Sequence, residues 1–146
     1  MFLLDQHGPS LPPGMPKPAV FGSGYKGPSP VGGTADLVLG AAQSGGVFIA
    51  KKGSGNQQFT LPPAEAGLKF TFVCGNASTG MTILPGDATA VMHAKTSATG
   101  TALTSTASTG SLVNTQGTAV VGDTITLQCD GTDWWMTYQS GIFAKT

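Results

Sequence analysis

Residues 122–141, GDTITLQCDGTDWWMTYQSG, decide how this chain folds. Polar and apolar residues alternate on both sides of a single turn. Ile125, Leu127 and Cys129 share one parity, with Thr124, Thr126 and Gln128 on the other. After Asp130-Gly131-Thr132-Asp133 the alternation resumes, with Trp134, Met136 and Tyr138 set against Trp135, Thr137 and Gln139. A period of two interrupted by Asp-Gly predicts a β-hairpin. Its bulky face, carrying Ile125, Leu127, Cys129, Trp134, Met136 and Tyr138, is expected to seal one end of a β-core. The Thr/Gln face suits a solvated or subunit-facing sheet surface. Nothing in the stretch is arranged for chemistry, so it reads as scaffold.

The same signature recurs upstream. Leu68-Lys69-Phe70-Thr71-Phe72-Val73-Cys74 predicts a central strand with Leu68, Phe70, Phe72 and Cys74 turned inward. Shorter candidates are residues 35–39, 47–50, 59–61, 81–84, 90–93, 111–113, 119–121 and 142–143. Residues 63–66 offer one helical turn before Gly67, and Lys51-Lys52-Gly53-Ser54-Gly55-Asn56 a solvated turn. Residues 94–110, AKTSATGTALTSTASTG, have almost no bulky side chain and read as a surface loop or edge hairpin, with small residues that also suit close contact with a neighbour. Short strands separated by turn signals place the chain in the all-β class: a small β-sandwich, jelly-roll-like or β-barrel domain.

Composition narrows the partners. Of the 146 residues only 10% are charged, against about 25% in ordinary domains. All seven basic residues are Lys, none is Arg, and the net charge is zero. The electrostatic footprint of a nucleic-acid binder is therefore missing, as is the forked phosphate ligand. So few charges imply that much of the surface faces something other than water. The opening MFLLDQHGPSLPPG has neither the basic start nor the length of a signal sequence, and no apolar run reaches the roughly 20 residues that cross a bilayer. No membrane partner is expected, and the protein is expected to be made and kept in a cytosol until it is assembled or released.

Residues 1–33 differ in kind from the rest. They hold seven of the ten prolines and show no period. Proline removes backbone donors and resists helix and central strand alike, so this segment cannot build a core. It is either a disordered tail or an extended Pro/Gly-rich arm; its apolar content favours an arm that docks on another subunit or partner. Phe2, Leu3, Leu4, Leu11, Phe21 and Tyr25 are the expected interface residues. The division is thus 1–33 for the arm and 34–146 for the β-domain.

Candidate chemistry is sparse. Cys74 and Cys129 form no metal-spaced pattern and read as buried free thiols in adjacent strands; the alternative is a bridge between them, which would need Cα atoms within about 7 Å. His7 lies in the arm and His93 on a weak strand. Most of the acids sit beside Gly or Pro, where Asp serves turns. Asp130 and Asp133 share the hairpin turn without the ligand density of a cation loop. No catalytic residue, cofactor or metal is expected, and the chain does not read as an enzyme. Adjacent strand residues face opposite ways, so Trp134 is assigned to the core and Trp135 outward. An outward Trp135 serves either as a sugar-stacking platform or as an interface anchor; the low charge and the arm favour the interface.

Four segments recur in a recognisable order: Gln43-Ser44-Gly45-Gly46-Val47-Phe48, Phe59-Thr60-Leu61-Pro62-Pro63, Gly67-Leu68-Lys69-Phe70-Thr71-Phe72-Val73, and Gly122-Asp123-Thr124-Ile125-Thr126-Leu127 followed by Asp130-Gly131-Thr132-Asp133-Trp134. Over residues 35–143 the chain resembles a β-domain of tailed-bacteriophage structural proteins, especially head decoration (cement) proteins, head fibres and some tail-fibre tips. The resemblance implies a homotrimer at capsid threefold or quasi-threefold positions, with the major capsid protein as partner and the arm as anchor. The function so implied is that of a virion protein on the capsid exterior, stabilising capsomer junctions. The alternative is a tail-fibre or receptor-binding domain recognising a host surface glycan.

Overall fold

The computed structural model describes residues 31–94, 110–115 and 117–146. The arm candidates Phe2, Leu3, Leu4, Leu11, Phe21 and Tyr25 lie outside the described residues, as does nearly all of the 94–110 tract. The described chain is a two-sheet sandwich of eleven strands. They are β1 (Val31–Gly33), β2 (Leu37–Val38), β3 (Val47–Ala50), β4 (Asn56–Thr60), β5 (Lys69–Cys74), β6 (Gly80–Leu84), β7 (Met92–His93), β8 (Leu112–Asn114), β9 (Thr124–Cys129), β10 (Trp134–Ser140) and β11 (Ala144–Lys145). Of the three expected arrangements, the open sandwich is the one formed. Val31–Gly33, inside the segment read as arm, is already an edge strand of a sheet.

The order of strands explains how the layers arise. Sheet A runs β1-β3-β5-β9-β10-β7, and sheet B runs β11-β8-β6-β4-β2. From β1 to β6 each strand enters the sheet opposite its predecessor, so sheet neighbours are next-but-one in sequence and run parallel. Parallel strands need a crossover, usually helical; here the crossover is a strand of the other sheet. Each strand then has one buried and one open face, as the alternating burial of β3 and β5 shows. The antiparallel pairs β5–β9, β9–β10 and β6–β8 complete the layers.

The core lies between the layers. Phe48 and Phe72 are register partners in sheet A, and Phe59 reaches them from sheet B, with ring centroids 5.0–6.4 Å apart. Phe70 packs against Trp134 at 5.8 Å. Leu68, Phe70, Phe72 and Cys74 are all buried, as expected of the central strand. Cys74 and Cys129 are buried free thiols in adjacent strands. They sit at opposite ends of the β5–β9 ladder, about 20 Å apart at roughly 3.4 Å per residue, far beyond disulfide reach.

Several local expectations fail for physical reasons. Tyr138 does not join the core. Met136 opposes Leu127 but Tyr138 opposes Thr126, so Thr137 is the extra residue of a β-bulge. One extra residue reverses every later side chain; Tyr138 turns outward, 56% exposed, and Gln139 turns inward opposite Ile125. Residues 119–121 form no strand, with Val120 and Val121 exposed, because Thr118, Ala119 and Asp123 close local backbone hydrogen bonds. Residues 63–66 form no helix, whereas a short 3-10 helix, Ala41–Gln43, forms where Gln43 Oε1 accepts the Gly40 N–H at 2.8 Å. The last strand is Ala144–Lys145, and Phe143 before it is buried.

One buried carboxylate ties the sheets together at an end of the sandwich. Asp123 Oδ2 accepts the Asn114 side-chain N–H from β8 and the Val120 backbone N–H, each at 2.9 Å. Asn114 also donates to the Ile142 carbonyl at 3.0 Å. Gly141 must be glycine here: its φ is +95°, and a Cβ would collide with the Asp123 carboxylate. Leaving buried donors unpaired costs about 1–3 kcal/mol. Asp123→Ala is accordingly expected to lower unfolding stability in urea by about that amount, and Gly141→Ala to lower it as well. Midpoints matching the unsubstituted protein would contradict this role.

Candidate functional site

The site grows out of the Asp-Gly-Thr-Asp turn between β9 and β10. Asp130 Oδ1 accepts the backbone N–H groups of Thr132 at 2.9 Å and Asp133 at 2.8 Å. The Asp130 N–H donates to the Asp133 carbonyl at 3.1 Å, closing the turn. Gly131, at φ +110°, supplies the left-handed backbone the turn requires. The second carboxylate oxygen of Asp130 accepts the indole N–H of Trp135 at 2.7 Å. One side chain thus shapes the turn and fixes the aromatic ring beyond it.

Asp133 performs a similar double task on the neighbouring edge. Its Oδ1 accepts the Val91 N–H at 3.1 Å, and its Oδ2 pairs with His93 Nε2 at 3.0 Å. These contacts dock β7 along β10 in parallel, with Trp135 opposite His93. The imidazole lies flat on the indole, centroids 3.9 Å apart and planes 12° from parallel. Trp134 is fully buried, while Trp135 faces outward and is 45% exposed, as the strand parity requires. Beside Trp135 lies an open groove of about 310 Å³ lined by Gly67, Gln128, Cys129, Asp130, Trp135 and Thr137.

The electrostatics follow from these donors. The Asp130 carboxyl is held below its ordinary value by the N–H groups of Asp133 and Thr132 and by the Trp135 indole. That of Asp133 is lowered by the His93 side chain first and the Val91 N–H second. Both carboxylates are therefore engaged by protein donors. No hydroxyl or thiol among the described residues is bonded to the His93–Asp133 pair. Among the described residues no three His, Cys, Asp or Glu side chains are grouped to hold a metal. No described helix is long and apolar enough to cross a membrane.

Sequence reasoning placed Trp135 correctly on the outer face but gave His93 no role. The His93–Trp135 stack depends on parallel pairing across 42 residues, for which a strand pattern carries no signal. The expected arm interface residues, Phe2 to Tyr25, remain outside the described residues. No protein-family model and no curated sequence matches this chain.

Because both folded-state pKa values are depressed, the turn contributes its full stability above the unfolded value, about 3.9 for Asp. That contribution is lost as pH falls through the lowered folded values. The melting temperature is expected to be flat down to about pH 4 and to drop below it. Asp130→Asn is expected to start lower and to fall less steeply in that window, read by thermal melts from neutral to acid pH. An acid profile unchanged by the substitution would contradict the assignment.

Proposed function

We propose that this protein is a non-enzymatic structural component of a tailed-phage virion, a capsid decoration protein that assembles as a homotrimer on the capsid exterior. The observation that carries the reading is the outer face of sheet A. Strand register places Tyr138, Thr126, Thr71 and Val47 in one row across four strands, and Ser140, Thr124, Val73 and Ile49 in the next. Thr71 and Thr126 close on each other, their hydroxyls 2.9 Å apart. Among the outward residues of β3, β5, β9 and β10 the only charge is Lys69, at a corner. A β-branched face with its charge at the periphery and one exposed tyrosine suits a covered surface better than a solvated one.

The ordered segments that resemble decoration proteins point the same way, and the proline-rich arm enters the domain at β1, the edge of this sheet. In this reading the central rows meet neighbouring subunits, with Trp135 at their margin. The arm, through Phe2, Leu3, Leu4, Leu11, Phe21 and Tyr25, reaches the major capsid protein. Binding to the assembled shell alone stabilises that shell by mass action, by about 2.7 kcal/mol at a hundredfold excess over Kd.

The test is co-sedimentation with mature, undecorated capsids of the parent phage. The full chain is expected to bind saturably, a chain lacking residues 1–30 to lose binding, and Tyr138→Asp to bind at least about tenfold more weakly, or 1.4 kcal/mol. Failure of the full chain to bind shells would overturn the decoration reading.

A further inference from the structure

We propose that the groove beside Trp135 binds a neutral saccharide, with the open face of the indole as the platform for one sugar ring. The site lies one row beyond the central face assigned to subunit contact and does not depend on that assignment.

The platform is built before any ligand arrives. His93 covers one face of the indole and Asp130 holds its N–H, while Asp133 holds His93. The ring cannot swing without breaking these contacts, yet it remains 45% exposed. An aromatic surface fixed in advance has little ordering entropy left to lose on binding. A pyranose ring offers an apolar C–H face and a rim of hydroxyls. The residues lining the groove carry the matching chemistry: the indole of Trp135, the amide of Gln128, the hydroxyl of Thr137 and the carboxylate of Asp130. Each carboxylate oxygen accepts about two hydrogen bonds, and Asp130 Oδ2 takes one from the indole.

The bulge and a glycine complete the arrangement. The extra residue in β10 is Thr137, exposed at the groove rather than paired in the ladder. Gly67, at φ +88°, lines the groove without a side chain. Charge selects the ligand class. The lining contains Asp130 and no cation, so phosphate and carboxylate groups are disfavoured. The Asp130 charge is already met by three N–H donors, so a cation gains little. A proline-rich peptide needs a row of aromatics, and this groove has one.

The experiment is a titration of the full-length, isotope-labelled protein with cellohexaose, maltohexaose and chitohexaose, following the indole N–H resonances. The chain has two tryptophans, and buried Trp134 is the internal reference. At least one hexasaccharide is expected to shift the Trp135 resonance saturably and leave Trp134 unmoved. Trp135→Ala is expected to abolish binding, Trp135→Phe to retain it, and Gln128→Ala to weaken it about two- to tenfold, the ordinary worth of one hydrogen bond. Tyr138→Asp, which addresses the subunit face, is expected to leave it unchanged. The proposal is overturned if no hexasaccharide moves Trp135, or if Trp135→Ala with a native Trp134 resonance binds as before. It is equally overturned if Trp135 responds to protein concentration and not to saccharide, which would make the groove a contact for a second copy.

Discussion

The Asp130 carboxylate is the contact on which the hairpin end of this molecule depends. Its two oxygens accept two turn N–H groups and the Trp135 indole, so turn geometry and ring position are set by one group. Asp133, positioned by that turn, then secures β7 through Val91 and His93. Sheet A gains its last strand and Trp135 its stacked partner from the same four residues. Being ionised below the ordinary aspartate range, both carboxylates stay acceptors through the physiological range.

A second constraint shapes β1 to β6. Strands that change sheet at each connection produce parallel neighbours without helices, and the alternating sequence fills the space between the layers from both sides. Phe48, Phe59 and Phe72 meet there because β3, β4 and β5 alternate between the sheets. Among the described residues the four edges belong to β1, β7, β11 and β2, each of two or three residues. Edges so short offer little template for uncontrolled strand addition. The sheets' remaining open surfaces are their faces, and on the outer face of sheet A the only charge among the outward residues of β3, β5, β9 and β10 is Lys69. Trp135 lies on that face one row beyond Tyr138 and Thr126.

Much of this architecture was legible in the sequence because period-two alternation is a local signal. The hairpin, the β5 core residues, the outward Trp135 and the burial of both cysteines all follow from it, whereas the separation of the two thiols comes from the β5–β9 register. What escaped is non-local. The bulge at Thr137 leaves no mark in composition, yet it sends Tyr138 outward and Gln139 inward. The parallel order of β1 to β6 is invisible in a pattern that antiparallel strands share. His93 acquires its place only through pairing with a strand 42 residues away. Asp123 looked like another turn aspartate, and became a buried tie because β8 delivers Asn114 to it.

In the proposed assembly another copy of the chain covers the outer face of sheet A. Sedimentation velocity of the full-length protein over a wide concentration range is the test. The expected result is a trimer-sized species that a charge placed at Tyr138 converts to monomer without unfolding the sandwich. A monomer at every concentration, indifferent to that charge, would contradict it.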